Sequence, residues 1–178
     1  MKMTKVKKII LSALLLATSI ILSRSFLAIN TPIVTISFSF IPIMLGAVIL
    51  GPKWSTLIAG FSDLIGANVF PFGTFFIGYT ISALFRGLIY GMIIFKKEGM
   101  KDKEFVIRLT IATFVVSIFI NLLLTSLWVY MTSGEAVNII AKVRITREAL
   151  MIPLQISSIF FLEKTLKPYI KKYLYDEE

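Results

Sequence analysis

The chain has 178 residues, 57% of them hydrophobic and 16% charged, with a formal net charge of +9. A soluble domain of this length has too much polar-facing surface to carry that composition, so the chain is expected to be an integral membrane protein. It contains neither cysteine nor histidine, which excludes disulfides, thiol and imidazole chemistry and the commonest metal ligand, so no metal or cofactor is expected.

The apolar residues fall into six blocks, and the expected fold is an all-α compact bundle of six transmembrane helices forming one domain, 1–178. The first block, "KIILSALLLATSIILS", follows a basic start. It resembles a signal peptide but lacks an A-x-A cleavage site, so a retained helix over 5–27 is expected. Ala13 and Ala17 are spaced i, i+4, and such small-residue faces admit a second helix closely, within the bundle or from a partner protein. Arg24 lies sixteen residues beyond Lys8, roughly 24 Å up the helix. It either snorkels to the headgroups or points into a cavity.

The second block, "FIPIMLGAVIL" (40–50), is short for a full crossing, so part of that crossing is expected to be non-helical or to extend back through "TISFSF". "GPK" (51–53) stops it, because Gly51 can end one helix and Pro52 can start the next. A third helix is expected over 53–67, and "NVFPFG" is a breaker-rich loop before a fourth over 74–95. Asp63 lies ten residues from Lys53, and Arg86 ten from Lys96. Both are then about 15 Å above the basic surface, and a structural ion pair between them is expected, with a ligand-facing Arg86 as the alternative.

"KKEGMKDKE" (96–104) is a solvated loop, and the fifth helix is expected over 105–131. Asn121, Thr125 and Trp128 share one of its faces, which is expected to look inward, because an asparagine facing lipid is costly. "TSGEAVNI" is a turn, and the sixth helix is expected over 141–172. Its start, "AKVRITREALMIP", carries Lys142, Arg144, Arg147 and Glu148. Arg144 can pair with Glu148 at i, i+4, while Arg147 shares the face of Arg144.

With six crossings, the two termini, the 51–53 turn and the 96–104 loop share one side, which holds 14 of the 19 Lys and Arg residues. The positive-inside rule makes that side cytoplasmic. The five remaining cations are Arg24, Arg86, Lys142, Arg144 and Arg147. A solvated interfacial turn explains the last three; an outer pocket built from Arg24, Arg144, Arg147 and Lys142 explains more, because guanidinium forks bind carboxylates bidentately. Phe40, Phe72 and Trp128 are among the aromatic residues at the outer ends of their segments. They form either an interfacial belt or a stacking surface for a flat ligand. No GxxxxGK[ST] nucleotide loop is present, so energy for uphill transport is expected from another subunit. The positive charge is accounted for by the membrane, and no nucleic acid partner is expected.

The stretch "ISFSFIPIMLGAVILGPKWSTLIAGFSDLIGA…FPFGTFFIGYTISALFRGLIYG", with "NLLLTSLWVYM" and "KVRITREALMIPLQ", resembles the substrate-binding S components of energy-coupling factor (ECF) transporters, in particular their folate family. The likeness covers about 5–165. It implies a site open to the outside and capped by "SFLAINTPIVTISFSF". It also implies docking through Ala13 and Ala17 onto a transmembrane coupling subunit driven by two ATPases. In the bacterial plasma membrane the S component would then topple to carry its ligand inward. Folate fits the implied site, with a pterin to stack on aromatic rings and a glutamate tail to meet Arg24, Arg144 or Arg147. The chain has Ile77-Gly78 where the family often has Pro-Gly, and Arg147 where it usually has lysine. An S component for another vitamin shares the architecture. A membrane enzyme would have to be built on the scattered Asp63, Glu135 and Glu148. A structural adaptor would leave Arg24, Arg144 and Arg147 without a purpose.

Overall fold

The computed structural model describes residues 3–24, 28–30, 35–71, 75–95, 100–134 and 136–169. Among these residues six helices follow one another: α1 (Lys5–Arg24), α2 (Phe40–Leu50), α3 (Pro52–Val69), α4 (Ile77–Ile94), α5 (Asp102–Ser133) and α6 (Val137–Tyr169). Four of them, α1, α4, α5 and α6, are long and apolar enough to cross a membrane. Between α1 and α2 lies a short two-stranded pair. The strands β1 (Ile29–Asn30) and β2 (Thr35–Ile36) pair antiparallel, with Ile29 opposite Ile36. Thr35 and Ile36 therefore form a strand instead of extending α2 backward, as their β-branched side chains favour.

The junctions follow from local chemistry. Gly51 adopts φ 83°, which only glycine takes without strain, and Pro52 then opens α3. Gly134 ends α5 at φ 68°, in the left-handed conformation that closes many helices, so α6 begins at Val137. Within α5, residues Val116–Leu124 form a π-helix, and the Thr125 amide donates to the Ile120 carbonyl, five residues back.

α2 is buried along nearly all of its length, as a short helix that is apolar on every side should be. Its Met44 joins Tyr90, Phe105, Leu109 and Val116 in the main core. A second cluster joins Met3, Leu50, Leu162 and Leu166, and the Gly51 turn lies against Phe95. The start of α1, the α2–α3 turn and the ends of α4 and α6 thus gather at one end of the bundle.

α3 and α4 run antiparallel and very close. A Cβ on Gly91 would lie 2.3 Å from the Pro52 Cα, and one on Gly87 would lie 2.4 Å from the Ser55 carbonyl oxygen. Ser55 Oγ donates to the Gly87 carbonyl at 2.8 Å, tying the helices where their backbones meet. Between lipid-facing helices such close contact does the work that the hydrophobic effect does in water. The outward faces carry exposed Ile10, Leu14, Ile111, Phe119, Leu150 and Phe161, suited to acyl chains.

Candidate functional site

The opposite end of the bundle, beside the β1–β2 pair, encloses a cavity of about 280 Å³ to which all six helices contribute. Each helix supplies a stripe at helical spacing. From α4 come Tyr79, Ala83, Arg86 and Tyr90, and from α6 come Arg144, Arg147, Met151 and Gln155. From α5 come Asn121, Thr125 and Val129; from α3, Ser62 and Asp63; from α1, Ser19 and Arg24; from α2, Phe40. Tyr90 donates to Gln155 Oε1 at 2.9 Å, a buried bond at the inner limit of the cavity.

Four guanidinium groups line this space. Arg24 reaches across α3, donating from Nη1 to the Phe70 carbonyl at 3.2 Å. The side chain passes over Gly66, where a Cβ would come within 3.1 Å of Arg24 Nε. Arg24 therefore faces the cavity and does not snorkel outward. Arg86 donates from Nη2 to Asn121 Oδ1 at 3.2 Å, and Arg144 from Nε to the Asn121 carbonyl at 3.2 Å. Arg147 forms an ion pair with Glu148. The Nε atoms of Arg86 and Arg147 are buried without a hydrogen-bond partner, which in a folded protein calls for an explanation.

Among the described residues, two carboxylates answer the four cations. Glu148 is buried and accepts from Ser117, from Arg147, and from the Asn121 amide at 3.1 and 3.2 Å. Asp63 accepts from Thr80 Oγ1 at 2.8 Å. Among the described residues, the formal balance around the cavity is therefore +4 from Arg24, Arg86, Arg144 and Arg147, less 2 from Asp63 and Glu148, a surplus of +2.

The expected Asp63–Arg86 ion pair is not formed. The antiparallel register sets Ser55 beside Gly87 and Asp63 beside Thr80. Arg86 is six residues beyond Thr80 and so about 9 Å farther along the axis. Both residues lie ten positions from a basic loop, but α3 and α4 are offset along their axes, so the two side chains sit at different heights.

Of the other expected residues, Phe40, Asn121, Arg144 and Arg147 line the cavity with Arg24. Trp128 stands behind the lining. Its ring is 5.5 Å from Phe76, its Nε1 donates to Ser82 Oγ at 3.0 Å, and Phe76 is the ring that faces inward. Phe72 lies outside the described residues. Lys142 is on the exposed side of α6 and does not line the cavity. Ala13 and Ala17 are exposed, while Ser12, Leu15 and Ser19 form the inward face of α1. The sequence reading missed Tyr79, Tyr90, Ser117 and Gln155. A glutamine inside an apolar span, eight residues after Arg147 and on its face, was the signal available for Gln155.

The family described as the substrate-specific component of ECF transporters matches residues 7–165. The folate transporter FolT of Clostridium novyi (strain NT) is 33% identical over 152 residues, 85% of either chain. That of Leuconostoc mesenteroides subsp. mesenteroides is 34% identical over 161 residues, covering 88% of this chain and 84% of the relative. A crystal structure of FolT bound with folic acid superposes with a TM-score of 0.79 at 33% identity, covering 90% of this chain and 96% of the other.

Proposed function

Because the chain belongs to the substrate-specific components of ECF transporters, we propose that its cavity captures folate at the outer face of a bacterial cell membrane. The loaded protein then delivers it with a coupling module powered by two ATPase subunits; the chain itself is not an enzyme. Both termini are cytoplasmic in this reading, because the basic connections gather at the end of the bundle away from the cavity.

The observation that carries the choice of ligand is the charge balance. Folate ends in a glutamate with two carboxylates, and the described residues around the cavity carry a formal surplus of two positive charges. The Nε atoms of Arg86 and Arg147 are buried without a hydrogen-bond partner, so the protein's own acceptors do not satisfy either guanidinium group in full. Asp63 suits the other end of the ligand. The N3–H and 2-amino group of a pterin are donors, and Asp63 is a carboxylate that no arginine pairs with among the described residues. Phe40, Phe75, Phe76 and Tyr79 supply ring faces for the heterocycle. Ala13 and Ala17 are left exposed for a coupling subunit to approach.

Calorimetric titration of the purified protein with folate and a panel of other vitamins tests this. Folate should bind with 1:1 stoichiometry and ahead of the rest. Preference for a vitamin lacking carboxylates would overturn the reading.

A further inference from the structure

Glu148 does not line the cavity, yet among the described residues it is one of the most buried charged groups, at 3% exposure. One face of its carboxylate is gripped by α5, through Ser117 Oγ and the Asn121 amide; the other meets Arg147. Asn121 is itself a junction. Its side-chain oxygen accepts from Arg86 and its main-chain carbonyl from Arg144. That carbonyl is available because of the π-helix. In an α-helix the Thr125 amide would bond to Asn121, but here it bonds to Ile120. Three arginines from two helices are thus oriented by one asparagine and one carboxylate.

We propose that Glu148 is a positioning residue. Anchored by Ser117 and Asn121 on the π-helical turn of α5, it fixes Arg147 so that its remaining donors face the ligand's carboxylate. This rests on the reading of the cavity as a folate site. A long arginine side chain loses much rotamer freedom when it is immobilised. Holding Arg147 in place beforehand removes that loss from the binding step. The arrangement also runs against simple charge counting, since a carboxylate beside an anion site lowers its positive potential. The two views make opposite predictions. If Glu148 merely offset charge, neutralising it would tighten binding of an anion. If it positions Arg147, neutralising it weakens binding.

The test is a double-mutant cycle in folate titrations of the full-length protein, with Glu148→Gln, Arg147→Ala and the combined variant. Glu148→Gln is expected to weaken folate binding by about tenfold or more, the scale of one charge-assisted bond. It should cost clearly less in the Arg147→Ala background, where only its hold on Asn121 remains. Unchanged or tighter binding by Glu148→Gln overturns the proposal, and so do losses that simply add, which would mark a general structural role. Ser117→Ala, which keeps the carboxylate but removes one anchor, should weaken folate binding less and in the same direction. It decides the matter if Glu148→Gln does not fold. Failure of the unaltered protein to bind folate would overturn the choice of ligand instead. The same cycle read as thermal stabilisation by sulfate then tests Glu148 against any anion, with non-additive losses again expected and additive ones overturning the role.

Discussion

Arg86 donates to the side-chain oxygen of Asn121, 3.2 Å away, while Asp63, the carboxylate expected to neutralise it, accepts from Thr80. The two opposite charges share a cavity without sharing a bond. This separates an acceptor on α3 from the guanidinium groups Arg86, Arg144 and Arg147 on α4 and α6, and a ligand with donors at one end and carboxylates at the other matches that separation.

Replacing Asp63 with asparagine therefore tests orientation. Folate and pteroate should each lose about 1.5–3 kcal/mol of binding free energy, the range for a hydrogen bond to a charged group. p-Aminobenzoyl-L-glutamate, which has the tail but no pterin, should be unaffected. Calorimetry with the three compounds decides it, and an equal loss for all three would mean that Asp63 does not read the pterin.

The cationic wall is tested by Arg144→Ala and Arg147→Ala. Each should weaken folate binding by about 1.5–3 kcal/mol, measured by titration of the purified variant. Arg147→Lys should recover only part of the loss, because an ammonium keeps the charge but not the planar fork. Wild-type affinity in both alanine variants would leave the charge surplus without a role.

The exposed face of α1 makes a different prediction. Ala13→Leu or Ala17→Leu adds bulk at positions that are exposed on the outward face of α1. Folate binding by the isolated protein should persist within about twofold, as expected for a substitution away from the site. Folate uptake by cells carrying the complete transporter should be lost. Uptake at the unaltered rate would exclude this face as the docking surface.

The α3–α4 contact is sensitive to a single methyl group. Gly91→Ala would place a Cβ 2.3 Å from the Pro52 Cα and 2.4 Å from Ser55 Oγ. Backbone cannot yield as a side chain can, so a destabilisation of about 1–3 kcal/mol is expected from overpacking. A lowered melting midpoint in detergent, by tryptophan fluorescence, checks it; an unchanged midpoint would mean that the helices can part at no cost.

Composition and the spacing of apolar blocks were enough to read membrane spans, because the thickness of a bilayer sets a length that shows in one dimension. The breaker chemistry of Gly51-Pro52 and the inward face of Asn121 were legible for the same reason: each depends on a few neighbouring residues. Arg24, Arg144 and Arg147 stood out because they fall away from the basic side of the bundle, against the positive-inside rule. What the tertiary structure decided was which charges meet. The offset between α3 and α4 gave Asp63 to Thr80 and sent Arg86 to α5. A π-helical turn with no evident mark in "VSIFINLLL" opened the Asn121 carbonyl to Arg144. Helix register is fixed by glycines and side-chain bulk meeting across an interface, and that sum over two surfaces is not written in either strip of sequence alone.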